Sequence, residues 1–285
     1  MSATPTVAVV APGNMGAGVG RRLAENKVTV LTSLAGRSEQ SAKRAREAGM
    51  QPVEERALAE ADFLLSIIPP GDALGLAKHL APILTAANTK PVYVDCNAVS
   101  PPTVLKIADE IAATGCPFVG AGIIGPPPKP GSTNTKIYAS GPAARVVARL
   151  NDYGLIVRVL DGPVTAASAL KMSYAGITKG FTALGTAMML AATRGGSADA
   201  LRAELAESRP DLLRYLSNQV PSMYSKPIAG WPNLTKSPPL SGMSVPSMKC
   251  SLRLLDSTSA SPTILKRIRT KSARSTGFST NHDGR

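Results

Sequence analysis

Val7-Ala8-Val9-Val10-Ala11-Pro12-Gly13-Asn14-Met15-Gly16-Ala17-Gly18 is the stretch on which the fold turns. Its apolar opening reads as a buried strand, its glycines as a turn, and a helix is predicted from Met15 to about Asn26. In that strand–turn–helix setting the glycines have a physical role. Backbone N–H groups at a helix start, unobstructed by side chains, bind an anion such as a pyrophosphate. Gly13 would let the phosphates come close, and Gly16 would let the helix pack close to the strand. Ala11 stands where the usual fingerprint has its first glycine, and it can hold the turn if its φ stays negative. The expected cradle for a dinucleotide is therefore Ala11, Gly13, Asn14, Met15 and Gly16.

Outward from this turn, strands and helices alternate. Val28–Leu31, Phe63–Ile68, Val92–Val94 and Phe118-Val119 read as strands, and Pro69-Pro70 stops the second of these. Helices are predicted over Glu39–Ala48, Ala73–Ala86 and Thr103–Ala113. Fully apolar strands with helical crossovers argue for a parallel sheet covered on both faces. After Asp161-Gly162-Pro163 the text changes: Ala166–Thr193 is nearly all helix formers, followed by helical stretches at Leu201–Ser208 and Asp211–Val220. The expected fold class is α/β. A Rossmann-type doubly wound domain over residues 1–163 precedes an incomplete all-α domain over 164–226, and 227–285 form a basic tail.

Composition supports this division. The chain has 285 residues, 44% apolar and 4% aromatic, with three cysteines, which excludes collagen, coiled coils and disulfide-stapled miniproteins. No apolar run approaches the roughly 18 residues that span a bilayer, and the first 30 residues lack a signal-peptide pattern. A cytoplasmic, reducing setting is expected. The net charge of +13 is unevenly placed: +6 over residues 1–226 and +7 over 227–285, the latter rich in Ser, Thr and Pro. A nucleic-acid partner is not expected, because the tail has only Trp231 and Phe278 to stack on bases. His79 and His282 are far apart and Cys96 and Cys116 lack a paired-cysteine motif, so no metal site is expected.

The end of the second strand bears on which dinucleotide binds. An NAD site expects an acid about 20 residues past the glycines, to accept from the ribose 2′-OH. None occurs between Glu25 and Glu39. Ser33, Arg37 and Ser38 lie there instead, with Lys43 and Arg44 one turn further on. A guanidinium and hydroxyls suit a 2′-phosphate, so NADP is favoured over NAD.

Four segments together resemble the β-hydroxyacid dehydrogenase superfamily, which includes 6-phosphogluconate and 3-hydroxyisobutyrate dehydrogenases. They are Gly13–Gly16, Asp95-Cys96-Asn97-Ala98-Val99-Ser100-Pro101, Gly120-Ala121-Gly122-Ile123-Ile124-Gly125-Pro126-Pro127-Pro128 and Ala169-Leu170-Lys171-Met172-Ser173-Tyr174-Ala175-Gly176. The resemblance covers residues 1–226 and is narrowest to a branch with a phosphogluconate-dehydrogenase-type C-terminal domain. It implies a cofactor site completed by Ile68, Pro69 and Asn97, and a small-molecule substrate held by Asn97, Ser100, Gly120, Ala121, Gly122 and Tyr174. Lys171 matches the superfamily's catalytic lysine. Independently of that match, Lys171 lies in an apolar stretch, and a lysine whose pKa is lowered by burial can both take and return a hydroxyl proton. Tyr174 stands near the place where the family usually has an asparagine, which bears on the substrate class. The implied activity is NADP-dependent hydride transfer to or from a small hydroxy acid or related carbonyl. Alternatives are an imine-reductase-like enzyme and an NADP-binding protein with little or no catalysis.

After Met223-Tyr224 the resemblance stops at Pro227. The branch continues as a helical Ala-Tyr-Arg-Trp-Val-Ala-Glu, and codons for Pro227-Ile228-Ala229-Gly230-Trp231-Pro232-Asn233 can be chosen that give those residues when read one base earlier. The tail is accordingly expected to be frameshifted and disordered. The superfamily's dimer would then form only if the C-terminal domain were complete. Genomic reads encoding Pro227 onward in an unbroken frame would overturn that expectation.

Overall fold

The computed structural model describes residues 3–225; the tail discussed above, from 227, lies outside them. Strand β1 (Thr6–Val10) leads through the glycine turn into α1 (Asn14–Glu25), and β2 (Thr29–Thr32) into α2 (Glu39–Glu47). Then come β3 (Gln51–Pro52), β4 (Phe63–Ser66), α3 (Ala73–Ala86), β5 (Val92–Asp95), α4 (Pro101–Ala112) and β6 (Phe118–Ile124). β7 (Lys136–Ser140), the short α5 (Ala144–Val147) and β8 (Val157–Leu160) complete the sheet. The strand order is β3-β2-β1-β4-β5-β6-β7-β8. β1 to β6 run parallel, β7 is antiparallel to β6, and β8 is parallel to β7. This is the doubly wound α/β arrangement expected, and the chain reverses its direction of winding between β1 and β4.

Alternation along β1 shows why both faces are covered. Val7 and Val9 join one apolar cluster with Leu23, Val30 and Leu150, while Ala8 and Val10 join the other with Leu64, Leu80, Tyr93 and Ile107. Each leucine so buried contributes about 1.5–3 kcal/mol. Local signals set the helix ends. Ser38 accepts a hydrogen bond from Ser41 N at 3.3 Å to cap α2, and Pro101 opens α4, where its missing N–H costs nothing.

Three differences from expectation have physical causes. β3 holds only two exposed residues, one of them proline, and so carries no strand pattern. β7 and β8 interleave polar residues among the apolar ones. The largest difference is β6, read above only over Phe118-Val119, which extends through Gly120, Ala121 and Gly122 to Ile124. Glycine is depleted in strands, yet here tertiary approach requires it. A Cβ on Gly120 would overlap the carbonyl of Val164, and one on Gly122 would lie 2.9 Å from the carbonyl of Ala167. Gly120→Ala is therefore expected to lose about 1–3 kcal/mol, read as a lowered urea midpoint. An unchanged midpoint would contradict the close approach.

The chain divides into two compact units, the first ending at Ser173 and the second beginning at Tyr174. The boundary falls inside α6 (Ala166–Arg194), a 29-residue helix. In the second unit α6 is followed by α7 (Ala198–Ser208) and α8 (Pro210–Ser225). Tyr215 of α8 donates from its hydroxyl to the Thr178 carbonyl at 3.1 Å, and Leu216 packs on the bare backbone of Gly185. Tyr174, Ile177, Phe181, Leu184 and Met188, at alternating spacings of three and four, leave an apolar stripe of α6 exposed. Among the described residues no helix is long and apolar enough to cross a membrane.

Candidate active site

The C-terminal ends of β1, β2, β4 and β5 bring together most of the residues singled out in the sequence. At the first, Gly13 is the N-cap residue of α1 and offers no side chain to its amides. The two glycines of the turn differ in what they need. A Cβ on Gly16 would collide with the Ala11 carbonyl, so the turn itself requires glycine there. Gly13 has ordinary extended backbone (φ −68°, ψ −177°), and a Cβ on it would meet nothing within 4 Å. The fold does not need glycine at position 13; the space in front of it is open. A bare helix start facing open space fits a pyrophosphate. Ala11 is buried, and among the described non-glycine residues only Lys27 has a positive φ, so the turn does not ask for a left-handed backbone at Ala11. Asn14 is exposed and Met15 half-buried at the same turn.

At the end of β2, Ser33 is buried while Arg37 and Ser38 are exposed. Arg44 takes a position that sequence spacing did not reveal. Its Nε donates to the Pro12 carbonyl at 3.1 Å and its Nη2 to Ser41 Oγ at 2.9 Å, while Ser38 Oγ lies 3.2 Å from Ser41 Oγ. A guanidinium is thus fixed against the glycine turn, and a chain of hydroxyls joins it to Ser38. The neighbouring open cavity, about 530 Å³, is lined by Ser33, Ala35, Pro52, Glu54 and Glu55. The two carboxylates come from beyond β3, outside the sequence window in which an acid was sought. Both are engaged, Glu54 with Arg56 at 2.8 Å and Glu55 with His79 at 2.8 Å.

The ends of β4 and β5 are locked together by Asn97, whose amide is 3% exposed. Its Nδ2 donates to Ser66 Oγ at 2.8 Å and to Asp95 Oδ1 at 2.5 Å, and its Oδ1 accepts from Ile68 N at 2.7 Å. Asn97 therefore supports Ile68 from beneath and shapes the β4 exit, where Pro69 is exposed. Ser100 is half-buried at the start of α4, 3.0 Å from Thr103 Oγ1.

Lys171 reaches this edge from α6. The start of the helix is fixed by Ser140, whose Oγ donates to the Val164 carbonyl and accepts from Ala167 N, both at 3.0 Å, and by Ser168, which donates to the Val99 carbonyl. That attachment sets half-buried Lys171 over Gly122: a Cβ on the glycine would be 3.1 Å from the lysine Cβ. Gly120 and Ala121 are buried beside it in β6, while Tyr174 is half-exposed and belongs to the second unit. Burial pushes the Asp95 carboxyl up to about 6, against hydrogen bonds from Asn97 and the field of Lys171 that favour its charge. Burial likewise pushes the Cys96 thiol up to about 12, which keeps it protonated and unreactive. Ser66, Asp95 and Ser140 were not assigned roles from the sequence, because their roles depend on strand register. Among the described residues no group of three His, Cys, Asp or Glu side chains is placed to hold a metal ion.

Comparison with known proteins agrees with this geometry. Residues 6–152 match the family described as the NAD binding domain of 6-phosphogluconate dehydrogenase. The chain belongs to this family. It is 31% identical over 189 residues to an uncharacterized 28.5 kDa protein of Methanothermus fervidus from the 7S RNA 5′ region, covering 65% of this chain and 70% of that one. Among solved structures it is similar to a conserved protein of unknown function described as resembling 3-hydroxyacid dehydrogenases. That pair shares 30% identity, with a TM-score of 0.65 and coverage of 76% of this chain and 81% of the other. The fold is also that of 3-hydroxyisobutyrate dehydrogenase from Mycobacterium tuberculosis, solved with L-serine (18% identity, TM-score 0.60, 73% and 72% covered). An imine reductase from Myxococcus stipitatus, solved with NAD+, shares it as well (20% identity, TM-score 0.60, 78% of each chain). The family is the dinucleotide-binding domain of an oxidoreductase, and the last two of these neighbours are oxidoreductases.

Proposed function

We propose that this chain is an NADP-dependent oxidoreductase that interconverts a small hydroxy acid and the corresponding carbonyl compound. The observation that carries the reading is the pairing, on one sheet edge, of a bare helix start at Gly13 with a half-buried lysine over Gly122. Ala11, Gly13, Asn14, Met15 and Gly16 would hold the pyrophosphate, and Ile68 and Pro69 would border the nicotinamide end. When bound, the nicotinamide supplies a two-electron hydride acceptor or donor. The chain's own task is the proton. In oxidation Lys171 Nζ takes the hydroxyl proton as the C–O double bond forms; in reduction it returns one to the carbonyl oxygen. Ser100 and the strand glycines would position the substrate, with Asn97 acting through the loop it braces. The test is to incubate the full chain with NADPH or NADP+ and a panel including 3-hydroxyisobutyrate, L-serine and 6-phosphogluconate, following absorbance at 340 nm. Lysine-dependent turnover of any member supports the reading; failure across hydroxy acids and their carbonyl partners, with cofactor binding intact, would sink the catalytic part.

NADP is preferred in this proposal because the β2 side of the cradle carries cations and hydroxyls: Arg37, Ser38 and the Arg44 guanidinium fixed against Pro12. Charge-assisted hydrogen bonds are each worth roughly 1.5–3 kcal/mol. Arg37→Ala and Arg44→Ala are accordingly expected to weaken NADPH binding by about ten- to a hundredfold each, with little effect on NADH. Calorimetric titration of both cofactors checks this, and equal losses for NADH would remove the 2′-phosphate assignment.

A further inference from the structure

We infer that Asp95 is a positioning residue for Lys171: its buried carboxylate faces the lysine across the bare face of β6 and holds it as an ammonium, poised to donate a proton. The inference rests on the proposed role of Lys171 and specifies which protonation state the fold favours.

The geometry follows from register. Asp95 pairs with Gly120 across the parallel β5–β6 ladder, so the two residues share a face, and Gly122, two residues along β6, shares it too. Lys171 packs on that same face, directly over Gly122. Between carboxylate and lysine, β6 presents no side chain at all. On the other flank Asp95 pairs with Ser66 of β4, a neutral hydroxyl.

The carboxylate is itself only half satisfied. Oδ1 accepts from Asn97 N at 3.2 Å and Asn97 Nδ2 at 2.5 Å, whereas Oδ2 is buried with no hydrogen-bond partner. A buried oxygen left this way is costly unless a charge compensates it. Tyr93, two residues back on β5, shares that face, and Cys96 follows Asp95 in sequence; burial raises both, so they stay neutral. Lys171 of α6 is the cation whose field reaches both Asp95 and Cys96. Opposite charges in a dry setting favour each other's charged forms, so the carboxylate opposes the tendency of burial to discharge the lysine.

The test titrates Lys171 in the ligand-free full chain, by NMR of 13C-dimethylated lysines, with the Lys171→Arg chain identifying its signal. Asp95→Asn is expected to move the Lys171 midpoint down by about one to three pH units. The reciprocal variant Lys171→Met should move the Asp95 midpoint up, read from the 13C carboxyl signal of labelled aspartate. If Asp95→Asn does not fold, as judged by circular dichroism, the reciprocal measurement decides alone. Midpoints that stay in place in folded variants overturn the inference, including when the enzyme binds NADPH and turns over. Linked titrations in a chain that binds neither cofactor would keep the pair and sink the proposed function instead.

Discussion

Replacing Gly13 with valine is expected to leave the chain folded and to abolish dinucleotide binding. The expectation comes from the asymmetry between the two glycines of the cradle. At Gly16 a Cβ collides with the Ala11 carbonyl, so substitution there damages the turn whether or not anything binds. At Gly13 the backbone is extended and the added atoms enter open space, so the empty fold tolerates them. That space is where the pyrophosphate must come to within hydrogen-bond distance of the helix amides. Two methyl groups placed there hold the phosphates off several charge-assisted bonds. A loss of at least a hundredfold in affinity for both NADPH and NADH follows, about 3 kcal/mol or more. The thermal midpoint of the free chain should change by no more than about 2 °C, the effect of a few tenths of a kcal/mol. Calorimetric titration together with a melting curve reads both quantities. A stable Gly13→Val chain that binds as well as the parent would move the cofactor away from this turn.

Removing the lysine gives the second large effect. Lys171→Met keeps the unbranched apolar stem that packs over Gly122 and removes the proton-carrying nitrogen. Positioned proton transfer contributes typically about 10²–10⁴-fold, so kcat is expected to fall by that factor for whichever hydroxy acid the parent turns over. Cofactor affinity should stay within about twofold, since Lys171, on α6, packs over Gly122 of β6 and not at the pyrophosphate turn. The pH profile adds a second readout. With Asp95 near 6, the parent should lose the carboxylate's hold on Lys171 as pH falls through that value, and the variant should show no such limb. Undiminished kcat in the variant would assign the proton to another group.

How much of this was legible beforehand depends on whether the signal is local. The β1 turn announced itself because strand, glycines and helix are contiguous, and the apolar runs of β4 and β5 are buried on both faces. Gly120 and Gly122 hid the length of β6 for the same reason that they matter. Glycine reads as loop until one knows that the backbones of Val164 and Ala167 lie against them. Asn97 was legible as a site residue, but its amide is spent inside the fold, on Ser66, Asp95 and Ile68. Arg44 illustrates the limit best: its bond to Pro12 spans 32 residues, and no helix periodicity in α2 indicates it. Asp95 likewise gains its relation to Lys171 only through the pairing of β5 with β6 and the packing of α6.

The most direct test of the central claim is an equilibrium titration of the purified full chain with NADPH and, separately, NADH. The account predicts saturable binding of one molecule per chain, tighter for the phosphorylated cofactor. Absence of binding by either, at concentrations up to millimolar, would contradict it.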